Sequence, residues 1–407
     1  MGLVASKESL DKIKSSKEKK IKELQQEARR VDAEVSTTTI GRFLRGEPVR
    51  KDNFKYISNK LGEDWRVIVD RSRSSSDDFE PKKDWEQVPY VPTFYGRDLD
   101  LQNLAAEINT HHYRIFILCG NEGIGKTALA VKLADRVLFG FDCIMWYPLR
   151  NAPPLKDFLT RFSAKFLSGS NLLRNTDLLS QLIKFIRNNR CLVILDNFEA
   201  ILGSGNYAGE YQEQYKDYGN LIKCILEGQH ESCFVIISRE RPIDIKNLVA
   251  SDLPVRLFDL EGLQPEACSE IFKAKGLSEE SFWRSLAENY RGYPLYIKLI
   301  SEYIKKKYNG SVGSFLKKAN SLLTKDIKII LRRLFDTLPC VEKNILCEIA
   351  KHEDSVSSSK LQEILSLSDA EFSIAIESLK ERTLIEENTS GYTLQPVVKE
   401  YIINFLN

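Results

Sequence analysis

The run Gly120-Asn121-Glu122-Gly123-Ile124-Gly125-Lys126-Thr127, with Ala128 after it, has the residue types and spacing of a phosphate cradle. It fits Gly-x4-Gly-Lys-[Ser/Thr] without a gap. Glycines let backbone N–H groups turn inward onto β- and γ-phosphates. The start of the next helix adds partial positive charge. The ammonium of Lys126 reaches the terminal phosphates, and the hydroxyl of Thr127 is a ligand for Mg²⁺. An apolar, strand-like run (Ile115-Phe116-Ile117-Leu118-Cys119) precedes the loop and a helical run follows it. Strand, glycine loop and helix together are the context in which the pattern means nucleotide binding.

Two more strand ends carry chemistry. Cys191-Leu192-Val193-Ile194-Leu195 ends in Asp196, an acid placed to hold Mg²⁺, with Thr127, through the ion's water shell. The next residue is Asn197, which cannot accept a proton, and Glu199 is the nearest carboxylate that follows. Phe234-Val235-Ile236-Ile237 ends in Ser238-Arg239, where a guanidinium can read a γ-phosphate and tell ATP from ADP. Asp196, Glu199 and Arg239 are therefore the catalytic candidates. Arg291-Gly292-Tyr293-Pro294-Leu295 interrupts a helical region and offers the Pro294 ring to an adenine or ribose. Phe94-Tyr95-Gly96-Arg97-Asp98 offers an aromatic side chain and a backbone turn to the base through Tyr95, Gly96 and Arg97.

The elements that must position these groups follow from periodicity. Apolar strands at 115–119, 143–147, 191–195, 234–238 and 255–258 alternate with helices at 155–167, 177–188 and 218–226, predicting a parallel five-stranded α/β sheet covered on both faces. This nucleotide-binding domain spans 94–262. From 263 to 328 helices dominate. Residues 329–407 read as helices at 329–338, 341–351, 359–365 and 370–382, then a hairpin at 384–394, a pattern that suggests a winged helix.

Residues 1–70 predict an all-α domain, with apolar positions at helical spacing through 13–24 and 54–69. Val35-Ser36-Thr37-Thr38-Thr39-Ile40-Gly41-Arg42-Phe43-Leu44-Arg45-Gly46 resembles the helix-turn-helix of Cro/repressor-type proteins. That resemblance implies Thr37, Thr38, Arg42 and Arg45 facing DNA, with Arg50 and Lys51 on phosphates. The competing reading is a protein-interaction bundle, favoured by Glu34 and Glu47 on either side of the recognition helix. Residues 71–93, rich in Ser, Asp and Pro, read as a linker.

Composition bounds the rest. The chain has 407 residues, 43% hydrophobic and 29% charged, with net charge +2. Residues 1–73 carry 18 Lys/Arg against 12 Asp/Glu, a local excess of six positive charges. No apolar run approaches the ~18 residues of a membrane span. The eight cysteines are scattered and none forms Cys-x-x-Cys, as expected of reduced thiols in a cytoplasmic protein.

The ordered set — Phe-x-Gly-Arg, phosphate loop, Leu-Asp strand end, Ser-Arg, Gly-Leu-x-Pro at 262–265 and Gly-Tyr-Pro-Leu — resembles the NB-ARC family of STAND ATPases. It is similar to cyanobacterial-type members with a repressor-like domain in front, which also share Leu149-Arg150-Asn151-Ala152-Pro153-Pro154. In that group the architecture usually continues into a WD-type propeller or other repeats. The resemblance implies ATP/ADP and Mg²⁺ as cofactors, an ADP-bound resting state, and self-association on exchange to ATP. In many relatives a winged-helix His-Asp pair contacts ADP; here Gln395-Pro396 stands there, leaving Gln395 to donate to a β-phosphate. Many also carry a second acid where this chain has Asn197, which implies slow hydrolysis. The alternatives are a DNA-binding regulator with nucleotide-controlled affinity and a steadily turning ATPase.

Overall fold

The structure is a computed structural model that describes residues 3–29, 35–63, 65–70, 81–110, 113–167, 177–203, 209–248, 253–319 and 321–406. Glu34 and most of the expected linker, 71–80, lie outside the described residues. The chain divides into two compact units, 1–82 with 138–142, and 83–137 with 143–407.

The first unit is helical: α1 (Lys7–Ser16), α2 (Glu18–Glu27), α3 (Thr37–Leu44), α4 (Lys51–Leu61) and α5 (Trp65–Ile68). The helical spacing through 13–24 falls on two helices that meet at Lys17, whose φ of −124° and ψ of 23° leave the helical region and end α1. Helix α3 begins where its cap predicts, with Ser36 Oγ accepting from the Thr39 amide. Ile40 and Phe43 point from it into a core shared with Leu10, Ile13, Phe54 and Ile57. Thr37, Thr38, Arg42 and Arg45 are exposed, as a recognition face requires. Both arginines, however, pair with Glu47: Arg45 Nε at 2.6 Å and Arg42 Nε at 3.6 Å.

The second unit is built on a sheet of β1 (Lys82–Asp84), β2 (Ile115–Cys119), β3 (Cys143–Pro148), β4 (Cys191–Asp196), β5 (Cys233–Ser238) and β6 (Val255–Asp259), in the order β1-β3-β4-β5-β2-β6. The five expected strands form, and every pair among them is parallel. The correction is the sixth strand: three residues from the expected linker add to the edge beside β3. Lys82-Lys83-Asp84 is too short and too charged to read as a strand, and Arg161 anchors it with two 2.6 Å bonds to the buried Asp84 carboxylate.

Strands β2, β4 and β5 are buried along their whole length, which is why they read as continuous apolar runs. One face packs Ile117, Met145, Val193 and Ile236 against α8 (Leu155–Phe166), α9 (Leu178–Asn188) and α10 (Asp217–Glu227). The unit also holds α6 (Asp98–Thr110), α7 (Lys126–Val137) and α11 (Ile243–Leu248). Helices α12 (Pro265–Lys275), α13 (Trp283–Asn289), α14 (Pro294–Lys307) and α15 (Val312–Lys318) come next. The chain then forms α16 (Lys325–Asp336), α17 (Cys340–Ala350), α18 (Ser358–Leu365) and α19 (Asp369–Glu381). The expected hairpin is antiparallel β7 (Glu386–Asn388) and β8 (Gly391–Thr393), and α20 (Pro396–Phe405) packs back on α16 and α17.

Candidate nucleotide site

Parallel register sets Cys119 level with Ser238 and Leu195 level with Ile236. Gly120, Asp196 and Arg239 therefore leave the carboxyl edge of the sheet together. Strand β2 sits between β5 and β6, while β3 lies on the far side of β4. The crevice beyond the strand ends at such a reversal of order is where open α/β sheets bind ligands.

The phosphate loop has the backbone its glycines allow. Gly120, Gly123 and Gly125 have φ of 143°, 87° and 105°, values closed to most side chains. Lys126 is 8% exposed and its Nζ donates to Gly120 O at 2.6 Å and Asn121 O at 3.0 Å, fixing the ammonium at the loop. Burial pulls its pKa below the usual lysine range, opposed by the nearby Glu199 carboxylate. Glu122 is exposed at the loop tip, and Ala128 lies in the first turn of α7.

Thr127 Oγ1 donates to Asp196 Oδ1 across 3.1 Å, and the same oxygen accepts from the Asn197 amide at 3.0 Å. Burial raises the Asp196 carboxyl pKa, and the Thr127 bond offsets part of that rise. A desolvated carboxylate beside a hydroxyl suits a small divalent cation that takes its other ligands from water and phosphate. Among the described residues no cluster of three or more His, Cys, Asp or Glu offers an all-protein metal cage. The residues present fit Mg²⁺ held through a nucleotide.

Glu199 sits in a short 3₁₀ turn, and Arg239 Nε lies 3.1 Å from its Oε1. Oxygen Oε2 of Glu199 is buried without a hydrogen-bond partner. Lys126, Asp196, Glu199 and Arg239 are thus brought together beyond the strand ends. Asn197 has φ of 61°, a left-handed geometry that asparagine tolerates better than most residues.

A cleft of about 530 Å³ opens beside the loop, lined among others by Asn121, Ile124, Leu260, Gly292, Thr383 and Gln395. Its walls come from the sheet unit, the α12–α15 region and the C-terminal helices. A larger groove along α10 and α11, about 770 Å³, includes none of the loop, Asp196 or Arg239. Gln395 lines the cleft. Tyr95, Gly96, Arg97 and Pro294 are not among the described residues that line it.

Gly96, Arg97 and Pro294 have other positions. Pro294 is the first residue of α14. Gly96 lies against α12, where a β-carbon would meet Ala267 Cβ at 2.0 Å. Buried Arg97 donates from Nη2 to Ile124 O at 3.0 Å and Glu261 O at 2.6 Å, so its guanidinium holds the phosphate loop from behind. The motifs Gly-Leu-x-Pro and Gly-Tyr-Pro-Leu meet backbone to backbone. Leu263 N donates to Gly292 O at 2.8 Å, and a β-carbon on Gly262 or Gly292 would come within 1.8 or 1.9 Å of a carbonyl oxygen.

Sequence reasoning missed three groups at this site. Tyr293 Oη donates to Glu122 O at 2.9 Å, tying α14 to the loop tip. Asn121 Nδ2 donates to Thr383 Oγ1 at 2.6 Å. Arg382, 5% exposed, pairs with Glu240 at 2.6 Å and with Glu342 at 3.4 Å. Asn121, Glu122 and Tyr293 stand in motifs the sequence singles out, but the pairings of Tyr293 with Glu122, Asn121 with Thr383 and Arg382 with Glu240 join segments far apart in the chain, which local pattern does not reveal.

Comparison with known proteins agrees with this geometry. Residues 116–258, from β2 to β6, match the AAA family, the ATPase family associated with various cellular activities. The segment is a P-loop ATPase domain, a fold that implies nucleotide binding, typically with Mg²⁺. An uncharacterized WD repeat-containing protein of Nostoc sp. is 34% identical over 92% of this chain. The chain spans about a third of that relative's length, 32%. A Walker-type ATPase of Pyrococcus abyssi is similar in fold, with TM-score 0.50 and 14% identity over 80% of this chain and 98% of its own. A STAND protein with a tetratricopeptide repeat sensor from Pyrococcus horikoshii matches over 80% of this chain and 44% of its own, at TM-score 0.39 and 17% identity. No helix among the described residues is long and apolar enough to cross a membrane.

Proposed function

We propose that this chain is a nucleotide-controlled switch of the STAND/NB-ARC class, ADP-bound at rest and self-associating when ATP replaces ADP. The observation that carries the reading is the grip on the phosphate loop. Three parts of the chain contact it: Arg97 from behind, Tyr293 at the N-cap of α14, and Thr383 beyond α19. A motor or steadily turning ATPase needs free access and fast release; a switch needs the loop's occupancy reported to the rest of the chain.

In this reading Gly120–Thr127 holds the β-phosphate and Thr127 with Asp196 holds Mg²⁺, which would neutralise phosphate charge. Gln395 donates toward the phosphates from the cleft, and the base lies against the Gly262–Gly292 contact. Arg239 leaves Glu199 for a γ-phosphate. The α16–α20 region acts as the winged-helix lid, and a repeat sensor like the relative's WD repeats would supply the signal. The 1–70 bundle is assigned to protein contact, because Glu47 already takes both arginines that DNA would need. The reduced cysteines fit the cytoplasm. Small-angle scattering of ADP- and ATP-loaded protein tests the switch. A larger radius with ATP is expected, and identical curves would refute it.

A further inference from the structure

Helix α19 ends in a way its sequence does not favour. Its C-cap is Arg382, and Thr383 follows with φ of 52°. The Thr383 amide bonds Lys380 O at 2.8 Å and the Leu384 amide bonds Leu379 O at 3.0 Å, the paired closure that leaves its left-handed position to glycine. A β-branched residue there is strained. Strain of this kind persists where the surroundings use it. Here the threonine hydroxyl accepts from Asn121, the second residue of the phosphate loop, at 2.6 Å.

Its neighbour reaches the other side of the same site. Arg382 is buried, and its Nη1 meets Glu240 Oε1 at 2.6 Å, one residue past Arg239. The other carboxylate oxygen of Glu240, Oε2, accepts from the Gly209 amide at 3.1 Å. The Arg382 charge is balanced within its own region by Glu342, which is fully buried.

We propose that Arg382 and Thr383 form a clasp that reads nucleotide state: Thr383 senses the phosphate loop and Arg382 senses the end of the γ-phosphate strand. Both are positioning residues that act through Asn121 and Glu240. Resting on the switch reading above, the clasp sets the rate of ADP release. A loop shifted by a γ-phosphate, or a moved Arg239, breaks one contact and strains the other. Two adjacent residues thus convert a local change at the phosphates into release of the C-terminal region.

The test uses the full chain loaded with a fluorescent ADP analogue, with release followed on dilution into excess ADP. Thr383→Gly should speed release roughly tenfold, within the usual range of coupling between sites, while melting at or above the wild-type temperature, because the strain is gone. Glu240→Gln should also speed release, whereas Thr383→Ser, which keeps the hydroxyl, should retain the wild-type rate. A purely structural role would lower the melting temperature and leave release unchanged in folded protein. Wild-type release rates in both Thr383→Gly and Glu240→Gln would overturn the clasp alone. No binding of the analogue by the wild-type chain would overturn both the clasp and the switch.

Discussion

Arg239 Nε lies 3.1 Å from Glu199 Oε1, with its Nη1 group 3.8 Å from Glu122 on the phosphate loop. In the proposed switch, the guanidinium that would read a γ-phosphate is held by the carboxylate that would activate water, so Arg239 would have to leave Glu199 before either could act. Replacing Arg239 with alanine should weaken the ATP response far more than ADP binding, since ADP has no group for it. Calorimetry with each nucleotide checks this, and an equal loss for both would make Arg239 structural.

Lys126→Ala should reduce affinity for ADP and ATP by on the order of 100-fold or more, the loss of two charge-assisted contacts. The fold should survive, because the ammonium's partners are carbonyls of its own loop. Undiminished calorimetric affinity would remove the loop from the site.

Hydrolysis by the isolated chain should be slow. Asn197 offers no general base, and such help is typically worth 10²–10⁴-fold. If Glu199 supplies it once Arg239 leaves, Glu199→Gln removes the residual turnover and Asn197→Asp adds little. If no carboxylate supplies it, Asn197→Asp raises turnover. A fast wild-type chain insensitive to both would point to a conventional ATPase.

Gly292→Ala should destabilise the second unit by about 2–4 kcal/mol, because a β-carbon would lie 1.9 Å from Leu263 O at a φ of 63°. Thermal unfolding measures it. A loss below roughly 0.5 kcal/mol, the range of ordinary surface changes, would contradict the close backbone contact.

The phosphate loop, Asp196 and Arg239 were legible because each follows a buried strand whose pattern is local. The five core strands were legible for the same reason. Strand β1 was not, since its place depends on Asp84 meeting Arg161 rather than on hydrophobicity. The break at Lys17 was hidden because apolar spacing continues through it. The sequence offers the Pro294 ring to an adenine or ribose and the turn containing Arg97 to the base. The structure puts Arg97 behind the loop and Pro294 at a helix start, positions that only tertiary packing decides. The Arg382 and Thr383 contacts rest on pairings across long sequence separations, where local pattern carries no information.

The most direct test of the switch is the nucleotide that co-purifies with the chain, identified by mass spectrometry of denatured protein, together with the particle mass with and without ATP. ADP is expected on the isolated protein, and a larger particle with ATP and Mg²⁺. A different class of ligand, or a site with no affinity for either nucleotide and a mass indifferent to ATP, would contradict the switch.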